Sequence, residues 1–423
     1  MEETKWLEGL VPQDLIRTVI PRSGSRCLIC RGRGFCGKSG CPVLIKAQSL
    51  ARVGKSLNSS IIRGSSPPAF FVGRIGYPKV WVGPMVPPLH GDTEVFDTPE
   101  LWMQNGLEEI LDYRYSLVRG KIRTRIDSQD SIVSNLQEVA LSSGPVDSEM
   151  ILSRSPRGTL IFSEEAQPFG PSAPLKSFTA LPSRTDSRLE RAFYDHDLKA
   201  SQAVYWLYKE GVAVSRIQKA FSLGMFGLKN QRRLVPTRWS ITAVDAIVSE
   251  KLIQEVKDLP VISEYRVYHF KRMHNTFVVL MLPRCWSFEW AEAWYPHTAW
   301  NPEHRVELIS DCEGYWGRTT YPEIGGCYFA CRLAVAEKLT EEKRQATVIA
   351  LREIHPGFLL PLGVWFVREG IRETLRQKPQ KFETLEQALG HLSSLLEIPL
   401  QQWVDTCRLL KTVQAEKKLQ EFL

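Results

Sequence analysis

The 423-residue sequence predicts a mixed α+β protein, built of helices and short antiparallel sheets with a small four-cysteine module at its N-terminus. Three observations lead there. Stretches such as SQAVYWLYKEGV (201–212) place apolar residues at helical spacing. Runs such as SEYRVYHF (263–270) and NTFVVLMLP (275–283) are β-branched and aromatic, with KRMHN as the hairpin connection. Four of the nine cysteines crowd into CLICRGRGFCGKSGCP, residues 27–42.

In chain order, residues 1–20 read as a short helix offering Trp6, Leu7, Leu10 and Leu15 for docking. The cysteine segment comes next, then a helix from Pro42 to Leu57. SSPPAFFVGRIGYPKVWVGPMVPP (65–88) mixes β-formers with Gly and Pro, which predicts short strands and tight turns rather than a regular sheet. Residues 99–140 read as helical, with EEILDYRYSLVRG ending at Gly120. The Ser- and Pro-rich stretch 142–188 reads as a surface connector. Helical spacing returns over 189–222 and over 236–258, where Thr237 or Ser240 caps the helix. After the 263–283 hairpin, EIGG leads into a long helix expected from Tyr328 to about Ile354, and helices over 382–397 and 400–413 finish the chain. This divides the chain into an N-terminal helix and metal module (1–57), a core (58–298), an α/β region (299–400) and a terminal helix with its tail (401–423).

An apolar content of 43% with 10% aromatic residues fits a globular core. The longest apolar runs, Phe277–Pro283 and Phe358–Val367, are too short to span a membrane, and MEETKWLEGL lacks the features of a secretion signal. A cytoplasmic protein with reduced thiols and no membrane contact is expected.

GRGFCGKS (32–39) matches the phosphate-cradling loop G-x-x-x-x-G-K-[ST], but the context is wrong. PRSGSR upstream is no buried strand, and Gly40 and Pro42 disturb the helix whose first amides would meet the phosphate. Zinc explains more of the letters. Cys27 and Cys30 form a Cys-x2-Cys pair, and Cys36 and Cys41 stand beyond it at Cys-x4-Cys spacing. Glycines let the chain wrap around one ion, and four thiolates leave no open position, so the expected Zn2+ is structural.

The net charge is +7, and its distribution says more than its size. No Asp or Glu occurs between Leu15 and His90, a window carrying twelve Lys and Arg interleaved with Phe70, Phe71, Tyr77 and Trp81. A field of one sign with aromatic neighbours points to nucleic acid or nucleotide phosphates. The candidate contacts are Arg63, Arg74, Tyr77, Lys79, Arg119 and Lys121, then Arg233, Arg238, Trp239 and Thr242 at a helix start, and Arg318 and Arg332 around EIGG. The competing expectation is that such arginines pair with acids inside the fold. A metal-dependent nuclease is the alternative activity. Its carboxylate candidates are Asp92 and Asp97, Asp195 and Asp197, and Glu289 and Glu292, and none forms a signature, while Asp245, on the helix after Trp239, is placed to orient an arginine or bind a metal. Cys327 and Cys331 read as packing residues.

Residues 65–88, RRLVPTRWSITAVD (232–245) and EIGGCYFACRLAVAEKL (323–339), together with the cysteine cluster and PLGVWFVREGIRE, resemble the archaeal Nre DNA-repair family over nearly the whole chain. The resemblance implies an archaeal DNA-repair protein with an N-terminal zinc finger, the 58–298 and 299–400 regions being the family's two parts. It also implies a C-terminal peptide that binds the sliding clamp (PCNA). Such peptides carry a glutamine, an aliphatic plug and two aromatics. In EKKLQEFL, Leu419 matches the plug and Phe422 and Leu423 take the aromatic positions, while Glu416 stands where glutamine is expected.

Overall fold

The computed structural model describes residues 16–19, 30, 32–54, 57, 59–161, 169–181, 184–298, 301 and 304–420. It is an α+β protein with twelve α-helices and two six-stranded mixed sheets among those residues. Contacts divide it into two compact units at Ile247/Val248, and Gly37–Gly40 goes with the second. No helix among the described residues is long and apolar enough to cross a membrane.

The first unit holds β1 (Ile16–Val19), β2 (Ile61–Ser66), β3 (Phe70–Val72), β4 (Lys79–Val86), β5 (Val118–Arg125), β6 (Val146–Leu152), β7 (Gly158–Ile161) and β8 (Ser172–Leu181). Its main sheet runs β2-β6-β8-β5-β4-β3, antiparallel except for the β5–β8 pair. The helix Ser131–Leu141 packs its buried Val133, Leu136 and Val139 over β8 and β4. That face of the sheet is filled by Val80, Val82, Val118, Met150, Leu152 and Ala173.

Several expectations change here. Residues 65–88 enter a regular sheet, because Pro67, Pro68, Pro78, Pro87 and Pro88 fall between or beyond the strands and Gly83 sits where strands approach closely: a Cβ there would lie 1.8 Å from the Gly120 carbonyl oxygen. The 142–188 stretch supplies β6 and β8, two interior strands. VDSEMIL buries Val146, Ser148, Met150 and Leu152 and leaves the residues between them open, a strand period that its Ser and Asp content masks. VRGKIRTR (118–125), whose first three residues the sequence assigns to a helix end, is β5 throughout. The helix expected over 1–20 lies outside the described residues except for Ile16–Val19, which pairs with β7 as a parallel strand. The helices Pro42–Gly54 and Thr237–Lys257 stand where expected.

The second unit contains β9 (Tyr265–Arg272), β10 (Asn275–Leu282), β11 (Ser287–Trp294), β12 (Glu307–Glu313), β13 (Thr347–Ile354) and β14 (Gln380–Phe382), in the order β12-β11-β13-β10-β9-β14. The β9–β10 hairpin turns through Met273 and His274, both in the left-handed region. β10 and β13 are buried at every position. The helices Cys327–Glu342 and Val364–Arg376 pack together, setting Tyr328 against Phe288 and Phe366 against Phe277. The other face of the sheet meets Leu385–Leu395, Leu400–Thr406 and Arg408–Gln420 through Leu389, Leu392, Trp403 and Leu410. The helix expected to reach Ile354 ends at Glu342. Lys343 takes a left-handed conformation as its C-cap, and TVIALREI continues as a strand buried on both faces, an apolar run whose letters fit either element.

A candidate nucleic-acid interface

Strand β5 decides the character of the first unit. Val118, Gly120 and Thr124 point into the packed side, so the intervening Arg119, Lys121, Arg123 and Arg125 share the opposite face. β4 adds Lys79 opposite Arg125 and Trp81 opposite Arg123. Lys79, Trp81, Arg123 and Arg125 are exposed, while Arg119 and Lys121 are half-buried.

Each cation is held differently. The Arg119 guanidinium lies over Phe71 (5.4 Å) and Phe169 (4.8 Å), and its Nε donates to the Gly170 carbonyl at 3.1 Å. Burial lowers its pKa to about 10. Burial and the neighbouring Arg119 charge lower that of Lys121 to about 8. Across β8, Lys121 faces Pro174, and no carboxylate of the described residues pairs with it. Arg125 donates to Asp127 at 3.0 Å, which raises its pKa.

The β3–β4 loop extends this face. Arg74, Ile75 and Tyr77 are exposed, and Gly76, at φ 89°, lets the Arg123 guanidinium approach: a Cβ there would meet it at 3.1 Å. The Tyr77 ring lies 5.3 Å from Trp239 in the first turn of Thr237–Lys257. Thr237 Oγ1 accepts from Val72 N at 2.9 Å, fixing that helix start to β3. Arg238 and Trp239 are exposed there, and Thr242 Oγ1 contacts the Arg238 carbonyl one turn on at 3.5 Å. Arg233 is exposed close to Asp127. Thus Arg74, Tyr77, Lys79, Arg119, Lys121, Arg233, Arg238, Trp239 and Thr242 gather around one side of the first unit, joined by Phe71, Arg123, Arg125 and Phe169. Those last four are not among the contacts expected from sequence, although the strict alternation of cations in VRGKIRTR carries the signal for two of them.

The other three arginines are engaged elsewhere. Arg63 pairs with Glu149 across β2 and β6 at 2.5 Å. In the second unit Arg318 pairs with Asp311 at 2.9 Å, and the buried Arg332 with Glu313 at 2.7 Å. Their charges are matched by carboxylates within the fold.

The scattered acids are likewise engaged singly. Asp97 pairs with Lys219, Asp245 accepts from Gln218, and Asp195 accepts the amides of Asp197 and Leu198. Glu292 pairs with Arg352, whose guanidinium lies over the rings of Phe277, Trp294, Phe358 and Phe366. Glu289 Oε2 accepts the Leu409 and Leu410 amides at 3.0 and 3.1 Å, opening the helix Arg408–Gln420, and burial raises its pKa to about 7. Burial raises the thiols of Cys327 and Cys331 well above the ordinary range, as packing residues require.

At the N-terminus, Cys30, Cys36 and Cys41 are described and Cys27 lies outside the described residues. Burial pushes Cys30 upward, but the amides of Cys36, Phe35 and Gly34 and the Cys36 side chain outweigh it and hold the thiol below its usual range. Burial pushes Cys41 upward, against the amides of Leu44 and Val43, and the charges of Cys30 and Cys36 add a smaller push in the same direction. Among the described residues no three His, Cys, Asp or Glu side chains are arranged to hold a metal ion. Lys38, within the GRGFCGKS motif, donates to the carbonyls of His297 and Thr298 at 2.8 and 2.7 Å. In the tail, Glu416 pairs with Arg284, whereas Phe422 and Leu423 lie outside the described residues. Leu419 falls within the terminal helix.

Comparison with known proteins matches residues 35–301 to the N-terminal part of archaeal Nre and residues 313–422 to its C-terminal part. The chain is 43% identical to the DNA repair protein NreB of Archaeoglobus fulgidus over 94% of its own length and 100% of that protein. It is 36% identical to the DNA repair protein NreA of the same organism, over 88% of the chain and 94% of that protein. To the NreA of Haloferax volcanii it is 34% identical, over 82% and 86%. No solved structure matches. With both parts of the family matched in order and relatives aligned almost end to end, the chain belongs to the archaeal Nre family.

Proposed function

We propose that this protein works in DNA repair, as its relatives' names indicate, by holding DNA along the open face of the first unit's sheet. One observation carries the reading: four cations alternate along β5 on a face that also exposes Trp81 and Lys79, and Lys121 among them has no carboxylate partner among the described residues. A half-buried cation without a counter-ion is costly, and an arriving phosphate offsets that cost. Tyr77 and Trp239 add ring faces for sugars or bases, and a nucleotide's phosphates would meet the same groups. Formaldehyde crosslinking of the full chain to duplex DNA, followed by peptide mapping, should place adducts on Lys79 and Lys121. Adducts confined to other lysines would overturn the reading.

Zinc and the sliding clamp complete the proposal. Cys27, Cys30, Cys36 and Cys41 would hold a structural Zn2+. The Cys30 environment supports this, since several amide hydrogens directed at one sulfur stabilise a thiolate. Metal analysis should find one zinc per chain and much less in Cys36→Ser, and a zinc-free wild type would sink the assignment. Glu416, Leu419, Phe422 and Leu423 would dock on the clamp. A peptide of residues 412–423 should bind it in the micromolar range and lose affinity on Phe422→Ala, and no titration signal would rule docking out.

A further inference from the structure

The second unit carries one exposed aromatic feature that the cationic face does not explain. After β12 the chain reverses through Gly314–Tyr315–Trp316–Gly317, closed by a Gly317 N–H donating to the Gly314 carbonyl at 2.9 Å, with Gly317 at φ 80°. Trp316 at the tip is 92% exposed. Leaving an indole in water forgoes one of the largest apolar burials a side chain offers.

The root of the turn is firmly held. Arg318 is tied to Asp311 and donates to the Thr320 carbonyl at 2.9 Å, with its guanidinium 4.9 Å over the Tyr328 ring. Tyr315 meets Trp316 edge-on at 5.3 Å and carries the Lys257 ammonium 4.9 Å from its ring centre. The indole therefore stands in solvent on a braced turn, with a cation on the neighbouring Tyr315 ring.

The surroundings select the occupant. From Gly314 to Pro322 the chain has no carboxylate and no aliphatic side chain but that of Pro322; the exposed rings of Tyr315, Trp316 and Tyr321 stand among glycines and threonines, with Lys257 over the Tyr315 ring. A protein interface surrounds its aromatic anchor with further apolar area. A nucleobase needs only a ring face for stacking and a nearby cation for its phosphate. We propose that Trp316 stacks on an unpaired nucleobase, so that the protein distinguishes single-stranded or extruded bases from paired duplex. This rests on the DNA-binding reading above and adds to it which DNA the protein selects.

The test uses the full chain and oligonucleotides carrying 2-aminopurine, whose fluorescence is quenched on stacking, in single-stranded, bulged and fully paired contexts. Binding should quench the probe in the single strand and the bulge. Trp316→Ala should abolish that change and weaken single-strand binding about tenfold while leaving duplex affinity and its salt dependence as they were. Trp316→Phe should retain part of both effects. Because the side chain is in solvent, neither variant disturbs the core. If Trp316→Ala quenches and binds like the parent, stacking is refuted, and the cationic-face reading survives provided Lys79→Gln with Arg123→Gln weakens every DNA. If Trp316→Ala alters only the chain's self-association or its binding to another protein, stacking is equally refuted.

Discussion

Replacing Lys79, Lys121 and Arg123 together by glutamine tests the cationic face where it is most quantitative. From Arg119 to Arg125 the strand advances about 20 Å, at about 3.3 Å per residue. One strand of a duplex presents about six phosphates over that length. Each contact to a phosphate contributes about 0.9 to the slope of log affinity against log salt, so removing three contacts should make the slope shallower by about 2.7. Between 50 and 200 mM salt each contact accounts for about a 3.5-fold loss of affinity. The parent should therefore lose about 40-fold more affinity than the triple variant over that range. Fluorescence anisotropy with a labelled duplex measures both slopes, and a thermal melt confirms that the variant folds. Lys79 and Arg123 are exposed and Lys121 has no ion pair among the described residues, so the fold should hold. Slopes agreeing within about 0.5 would show that the phosphates sit elsewhere.

Three further outcomes rest on the same geometry. Lys121, at about 8 against its ordinary 10.5, loses its proton sooner in the folded protein than in the unfolded chain, so its contribution to stability rises between those two pH values. Phosphate binding draws the proton back, so DNA affinity should fall as pH rises through about 8; Lys121→Arg should flatten the profile, and an unchanged profile would contradict the placement. Glu289, at about 7 against 4.5, binds a proton more readily folded than unfolded. Its contribution falls by about 3.5 kcal/mol as pH rises from about 4.5 to 7, at about 1.4 kcal/mol per unit. Glu289→Gln still accepts the Leu409 and Leu410 amides and should remove that dependence, as denaturant unfolding at pH 5 and pH 8 would register. Gly83→Ala places a methyl 1.8 Å from the Gly120 carbonyl oxygen and should cost about 3 kcal/mol, read as a lowered first-unit melting temperature.

Much of this was legible in the letters, in a pattern that physics explains. The β9–β10 hairpin and the helices at Pro42–Gly54 and Thr237–Lys257 announce themselves because their turns, caps and periods agree. β13 did not, since TVIALREI lies in the centre of a sheet and an apolar run has no period to separate strand from helix. β5 was missed for the opposite reason: its cations face outward, and charged residues beside a Gly discourage a strand assignment even when they alternate. The candidate interface was half legible. Arg119, Lys121, Arg238 and Trp239 were singled out by composition, but Arg63, Arg318 and Arg332 look the same in sequence and only their carboxylate partners in the fold set them apart. Trp316 carried no signal, because exposure is a property of the turn and not of the letter.

The parallel pairing of β5 with β8 has a consequence for the order in which the molecule becomes itself. β5 meets β4 on one side, and on the other it aligns Arg119 with Ser172 and Lys121 with Pro174, partners contributed by a much later part of the chain. β8 also pairs with β6, so the edge that completes β5 arrives only after the intervening segment has been made. The half-burial of Arg119 depends in addition on Phe169, next to that late strand. A nascent chain thus displays its arginines and lysines as loose charges and acquires the shaped surface only at closure. The grip belongs to the finished fold, and a chain halted before β8 would carry the same charge without the site.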